Sequence, residues 1–165
     1  MIDTTFLNDS PLFRNLDEME RAQILVIGQV QEYEAGGVIF REGDPGDGLY
    51  IVMAGTVRIS KRSAGGEEAL AVLEPNAFFG EMALIDVSPR AADAIACEPA
   101  QLFYIPLSAF QAVIEAHHQI ALKVLYSLCA VLAQRLRETN ERYMSVFAIA
   151  QWGGALGPDA LIPLP

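Results

Sequence analysis

"VIFREGDPGDGLYIVMAGTVRIS", residues 38–60, decides the fold of this chain. Three apolar runs, "VIF", "LYIVMAG" and "TVRIS", are separated by turns built from Gly, Pro and Asp. Each run has the length of a strand, and the punctuation is too frequent for a helix. The texture persists downstream through "SAGGEE", "ALAVLEP", "AADAIACE" and "AQLFYIP", so the region from Val30 to Ile105 reads as short strands joined by turns. Gly43, Gly46, Gly48 and Gly55 fall at those turns, where positive φ is often required, and "SAGGEE" reads as a hairpin. A barrel or a sandwich follows.

Helical patterns flank this region. Residues 10–28 carry Asp17 as a candidate N-cap, acids in the first turn and apolar residues at 24, 25 and 27, which predicts a short amphipathic helix ending near Gly28. After Pro106, "LSAFQAVIEAH" predicts a helix with Ser108 as N-cap. A longer helix follows His117 and His118 and runs to about Met144 or beyond. Along it Leu122, Leu125, Cys129, Leu132, Leu136, Thr139, Tyr143 and Val146 alternate at spacings of three and four, a heptad seam. Such a seam serves either packing on the chain's own β region or pairing with a second copy. Pairing leaves Val124, Leu128 and Val131 to cover the β region. We place one domain at residues 1–146 and a Gly- and Pro-rich tail at 147–165.

The chain has 165 residues with 11 Lys and Arg against 21 Asp and Glu, a formal net charge of −10. Binding nucleic acid relies on neutralising phosphates, so this balance argues against direct DNA binding and for small ligands or protein partners. Cys97 and Cys129 lack metal or disulfide spacing, which points to a reducing, cytoplasmic setting. No apolar stretch reaches about 18 residues free of charge, so no membrane span is expected. The only histidines, His117 and His118, sit at a helix start away from the β turns, and no nucleophile motif appears. We therefore expect no enzyme activity and no metal.

"FFGEMALIDVSPRAADA", residues 78–94, is different. A helical turn starting at Gly80 aims the amides of Met82 and Ala83 outward, suited to an anion. Arg90, expected on the following strand, supplies charge and a fork of donors, and Glu81 can accept from a hydroxyl. The alternative is that Glu81 and Arg90 pair with each other, which leaves the small residues Gly80, Ala83, Ala91 and Ala92 unexplained.

"FGEMAL" followed by "PRAA", with "REGDPGDGLYIVMAGTVRI" upstream, resembles the phosphate-binding cassette and preceding turn of the cyclic nucleotide-binding domain family. The resemblance covers about residues 10–145. It implies a mainly β fold: an eight-stranded jelly roll with an N-terminal helix and C-terminal B and C helices. It further implies backbone contacts from Gly80, Met82 and Ala83, a ribose 2'-hydroxyl on Glu81, the cyclic phosphate on Arg90, a backbone donor at Ala91, and walls from Leu70 and Leu73. Ala91 in place of Thr favours cAMP over cGMP. "RLRETNERY" resembles the C-helix of catabolite activators and implies adenine contacts from Thr139 and Asn140 across a homodimer.

Two positions depart from the family pattern. Asn76-Ala77 replaces Gly-Asp before the cassette, and Asp93 replaces Thr or Ser, lowering affinity if its carboxylate faces the ligand. Too little chain follows Met144 for a helix-turn-helix. The expectation is a cytoplasmic cAMP receptor with no other cofactor that signals to a protein effector by moving its C-terminal helix. The rivals are a scaffold module that has lost nucleotide affinity and a cupin-like metal enzyme.

Overall fold

The computed structural model describes residues 4–86 and 88–152. By internal packing the chain divides into two compact units, Met1–Leu128 and Cys129–Pro165, the boundary falling inside the last helix.

The first unit is a jelly roll of eight strands. These are β1 (Gln29–Tyr33), β2 (Val38–Phe40), β3 (Gly48–Ala54), β4 (Val57–Ser63), β5 (Gly66–Leu73), β6 (Phe78–Phe79), β7 (Asp93–Ala96) and β8 (Ala100–Pro106). They form two four-stranded sheets, ordered β1-β8-β3-β6 and β2-β7-β4-β5, with every pairing antiparallel. The fold expected from the sequence is the fold found.

The run "GLYIVMA" is nearly all apolar because β3 is covered on both faces. Tyr50 and Val52 point between the sheets and join Val57, Phe79, Ala94, Ala96, Ala100 and Leu102 in one core cluster. Leu49 and Ile51 are equally buried, in a second apolar layer with the helices. These helices are α1 (Thr5–Asp9), α2 (Glu18–Ile27) and α3 (Leu107–Ala116), and Phe6 of α1 meets Phe103 of β8 at 5.0 Å between ring centroids. Gly28 makes the step from α2 into β1, where a Cβ would fall 2.2 Å from the Phe103 ring.

The Asp17 cap is present as a full capping box, with Glu20 N–H donating to Asp17 Oδ1 at 2.9 Å and Asp17 N–H to Glu20 Oε2 at 2.8 Å. The helix expected over 10–28 is shorter, and α1 precedes it. The "SAGGEE" hairpin is the β4–β5 connection, and a bulge at Leu70 shifts the register from Ile59↔Ala71 to Ser60↔Ala69. Of the four turn glycines, Gly43 and Gly55 have positive φ; Gly46 and Gly48 instead admit close neighbours, Ala83 and Ile105.

Ser108 is not a cap. Pro106 occupies the N-cap position of α3 without a side-chain bond, and the Leu107 amide donates to the Asp47 carbonyl at 2.8 Å, so main chain from the β2–β3 turn does the capping.

The last helix, α4 (His118–Trp152), runs beyond Val146 into the expected tail; residues 153–165 lie outside the described residues. Its first turns belong to the first unit and bury Ile120, Val124 and Leu128. Lys123 pairs with Glu20 at 2.7 Å and Asn15 donates to Ser127 Oγ at 2.9 Å. Seam residues Leu122, Leu125, Leu136, Tyr143 and Val146 are exposed. Of the stripe expected to cover the β region, Val124 and Leu128 are buried within the first unit, whereas Val131 is half-buried and belongs to the second. By length and composition alone, α4 is also the one described helix apolar enough to cross a membrane, within His118–Ile149. Its apolar content is the sum of the two stripes.

Candidate anion-binding site around Arg90

The site begins where β6 ends. Phe79 pairs with Tyr50 of β3, and the chain then turns through Gly80 at φ 77 into a short 3-10 turn, Glu81–Leu84. Left-handed backbone is expensive for a residue with a Cβ, and a Cβ at Gly80 would also lie 2.6 Å from Arg90 Nη1. Upstream, Asn76 takes φ 72 and its N–H donates to the Val52 carbonyl at 2.8 Å, so the turn without Gly-Asp is intact.

Arg90 lies in the segment before β7, not on a strand as expected. Its main chain is tied to the β2–β3 turn: Arg90 N–H donates to Asp44 O at 2.8 Å, and Gly43 N–H to Arg90 O at 2.9 Å. Its side chain is 4% exposed. Nη1 donates to Gly80 O at 3.1 Å, and Nη2 to Gly48 O at 2.7 Å and Asp47 Oδ1 at 2.8 Å. The guanidinium carbon sits 4.2 Å from the Phe40 ring centroid, a cation–π contact. Nε is buried and has no hydrogen-bond partner. An unmet donor on a buried cation costs about 1–3 kcal/mol, and an anionic oxygen supplies the missing acceptor.

Asp47 is the carboxylate that sequence reasoning missed. Its signal was present in "GDPGDG": an acid in a tight turn before a buried strand. The Asp47 side chain is 63% exposed, so it offsets the charge of Arg90 from the solvent side. Its carbonyl accepts from Tyr104 Oη at 3.1 Å as well as from the Leu107 amide. Burial pushes the Tyr50 phenol well above its ordinary range, with Asp47, Tyr33 and Tyr104 adding and Arg90 opposing. Burial and then Asp47 also raise Tyr33 and Tyr104. All three remain neutral hydroxyls at physiological pH.

Among the other expected site residues, Glu81 is buried at 5% exposure beside Gly80, and Met82 is exposed. Ala83 departs from expectation, because its N–H donates back to Gly80 O at 3.4 Å, closing the turn rather than pointing outward. Ala91 is exposed and Ala92 buried. Leu73 packs against the inter-sheet core, while Leu70 is the half-exposed bulge residue. Asp93 faces the β2–β3 turn: its Oδ1 accepts from Glu42 N–H at 2.7 Å, and Oδ2 lies 3.9 Å from Arg41 and 3.8 Å from Arg62. Thr139 and Asn140 belong to the second unit, exposed on α4, with Thr139 Oγ1 donating to Arg135 O at 2.8 Å. Among the described residues, no group of three or more His, Cys, Asp or Glu is placed to hold a metal.

The jelly roll thus brings a buried arginine with one unmet donor to a left-handed glycine and a 3-10 turn. The sequence model described as "Cyclic nucleotide-binding domain" matches residues 30–117. The chain is 38% identical to the cyclic AMP receptor protein of Thermus thermophilus, over 81% of this chain and 61% of that one. It is 32% identical to glutaminase 2 of Bradyrhizobium diazoefficiens, over 85% of this chain but only 22% of that one. Among solved structures, the regulatory domain of Toxoplasma gondii PKA, co-crystallised with cAMP, has a TM-score of 0.63 and 34% identity over 67% of this chain and 42% of that one. This chain belongs to the cyclic nucleotide-binding domain family, and it spans less than two thirds of the length of each of these relatives.

Proposed function

We propose that this chain is a cAMP receptor without catalytic activity, in which Arg90 takes the cyclic phosphate and Glu81 the ribose 2'-hydroxyl. The observation that carries the reading is the guanidinium of Arg90, buried and fixed by Asp47, Gly48, Gly80 and Phe40, with Nε still lacking an acceptor. Preference for cAMP over cGMP rests on Ala91, whose methyl cannot reach a guanine amino group. The relatives named for cyclic AMP or co-crystallised with it support the same ligand.

The two features that favoured a scaffold without affinity carry less weight once placed. Asn76 keeps the left-handed turn, and the Asp93 carboxylate is bound to Glu42 N–H. Signal output goes through α4 to a protein effector, with ligand binding shifting the helix population. The exposed seam of Leu122, Leu125 and Leu136 serves a homodimer, which lets Thr139 and Asn140 meet adenine across the pair. Two exposed free thiols, Cys97 and Cys129, suit a reducing cytoplasm, and direct DNA binding is not part of the reading.

Calorimetric titration with cAMP, cGMP and 2'-deoxy-cAMP tests it. The expected result is saturable binding, tightest for cAMP, with Glu81→Gln erasing the preference for cAMP over its 2'-deoxy analogue. Absence of binding to every cyclic nucleotide would return the chain to the scaffold reading.

A further inference from the structure

β2 and β7 pair as far as Phe40 opposite Ala94, and beyond that point the two chains separate. Main-chain bonds between them resume at Gly43 with Arg90 and at Arg90 with Asp44. In the gap lies Glu42, whose amide has lost its place in the ladder. It donates instead to the carboxylate of Asp93, the first residue of β7, at 2.7 Å. Asp93 is 5% exposed, a costly place for a carboxylate unless a specific partner is being held. The nearby guanidinium groups of Arg41 and Arg62, at 3.9 and 3.8 Å, are too distant to be hydrogen bonded, and both side chains are more than half exposed. The short hydrogen bond belongs to the Glu42 amide, while the two guanidinium groups add charge attraction without fixing the geometry.

We propose that Asp93 is a positioning residue that substitutes a side chain for a missing sheet rung, clamping the β2–β3 turn onto the segment that carries Arg90. The clamp rests on the reading of Arg90 as the phosphate site, and it adds to that reading a reason for the arginine's fixed place. The turn supplies the main-chain partners of Arg90, at Gly43 and Asp44, and the carboxylate paired with its guanidinium, Asp47. If the turn loosens, all three lose register together. Asp93 therefore acts on the ligand through Arg90 and does not touch it.

The test compares Asp93→Ala, which removes the acceptor, with Asp93→Asn, which keeps an oxygen at Oδ1 and drops the charge. Amide hydrogen exchange in the ligand-free protein reads the clamp directly, and calorimetry with cAMP reads its effect on binding. Asp93→Ala should accelerate exchange at Glu42, Gly43 and Arg90 and weaken cAMP about tenfold, with the ratio of cAMP to cGMP affinity unchanged. Asp93→Asn should stay near the parent in both. If Asp93→Ala melts too low to titrate, Asp93→Val keeps a β-branched strand residue with no acceptor, and it should reproduce the loss. Unchanged exchange in Asp93→Ala overturns the clamp, and so does an equal loss in Asp93→Asn, which would assign the effect to charge. Should the parent protein bind no cyclic nucleotide, the phosphate reading fails, and exchange alone still decides for or against the clamp.

Discussion

Gly80→Ala is the sharpest probe of the site. The added methyl meets two separate penalties. The first is conformational: a Cβ at φ 77 costs about 1–2 kcal/mol wherever it occurs. The second is steric, because the methyl lies 2.6 Å from Arg90 Nη1 and 3.1 Å from Gly48 O. Relief requires the guanidinium to withdraw by about 1 Å. That movement breaks its 3.1 Å bond to Gly80 O and strains the 2.7 Å bond to Gly48 O. A charged hydrogen bond is worth about 1.5–3 kcal/mol, so the two penalties together reach roughly 3–5 kcal/mol.

Gly36→Ala separates them. Gly36 has φ 79, and no atom lies within 4 Å of the place its methyl would take, so it bears the conformational cost alone. At about 2–4 °C per kcal/mol for a chain of this size, Gly80→Ala should melt roughly 6–20 °C below the parent, and Gly36→Ala only a few degrees below. Calorimetry should show cAMP weakened at least about tenfold in Gly80→Ala and unchanged in Gly36→Ala. Equal melting losses in the two variants, together with parent-like affinity in Gly80→Ala, would refute the placement of Arg90 against Gly80.

Other outcomes are open to measurement. Arg90→Leu should leave a folded protein, because Asp47 is already solvated, yet remove about 3–5 kcal/mol of cAMP binding by calorimetry. Leu132→Glu puts like charges into the proposed seam, so light scattering should show the mass halved, and cAMP should bind more weakly if Thr139 reaches across. Tyr33, Tyr50 and Tyr104 all ionise above the ordinary phenol value in the folded state. The folded protein therefore holds more protons than the unfolded one above about pH 10. The stability they contribute is complete below that pH and falls as pH rises further, and denaturant titrations at pH 9 to 12 should follow that decline.

The strands were legible because a buried strand with Gly- and Pro-rich ends repeats at short intervals, and "GLYIVMA" shows it most plainly. The stripes of α4 were legible for the same reason, since Val124 and Leu128 keep helical spacing. Helix α1 was not: five residues give no period to read, and what fixes them is Phe6 against Phe103, a contact remote in sequence. The cap of α3 failed similarly, because Ser108 is the local candidate while the acceptor used is the carbonyl of Asp47. At the site, Gly80 and Arg90 could be named from residue type and spacing. Asp47 and the direction of Asp93 could not, since both depend on how the β2–β3 turn folds back over the segment before β7.

Asp47 reaches Arg90 with its side chain and the start of α3 with its carbonyl. The two links differ in how they can be inherited or removed. The carboxylate is encoded and can be lost by a single codon change, whereas the carbonyl is present whichever amino acid occupies position 47. Alanine scanning of this chain would therefore report the connection to the arginine and remain blind to the connection with the helix. That second connection is exposed only by deleting the donor: Leu107→Pro removes the amide at the first helical position, where proline is otherwise well tolerated. A mutational map built from side chains alone would draw the junction of β8 and α3 as independent of the Arg90 site, although one residue's backbone joins them.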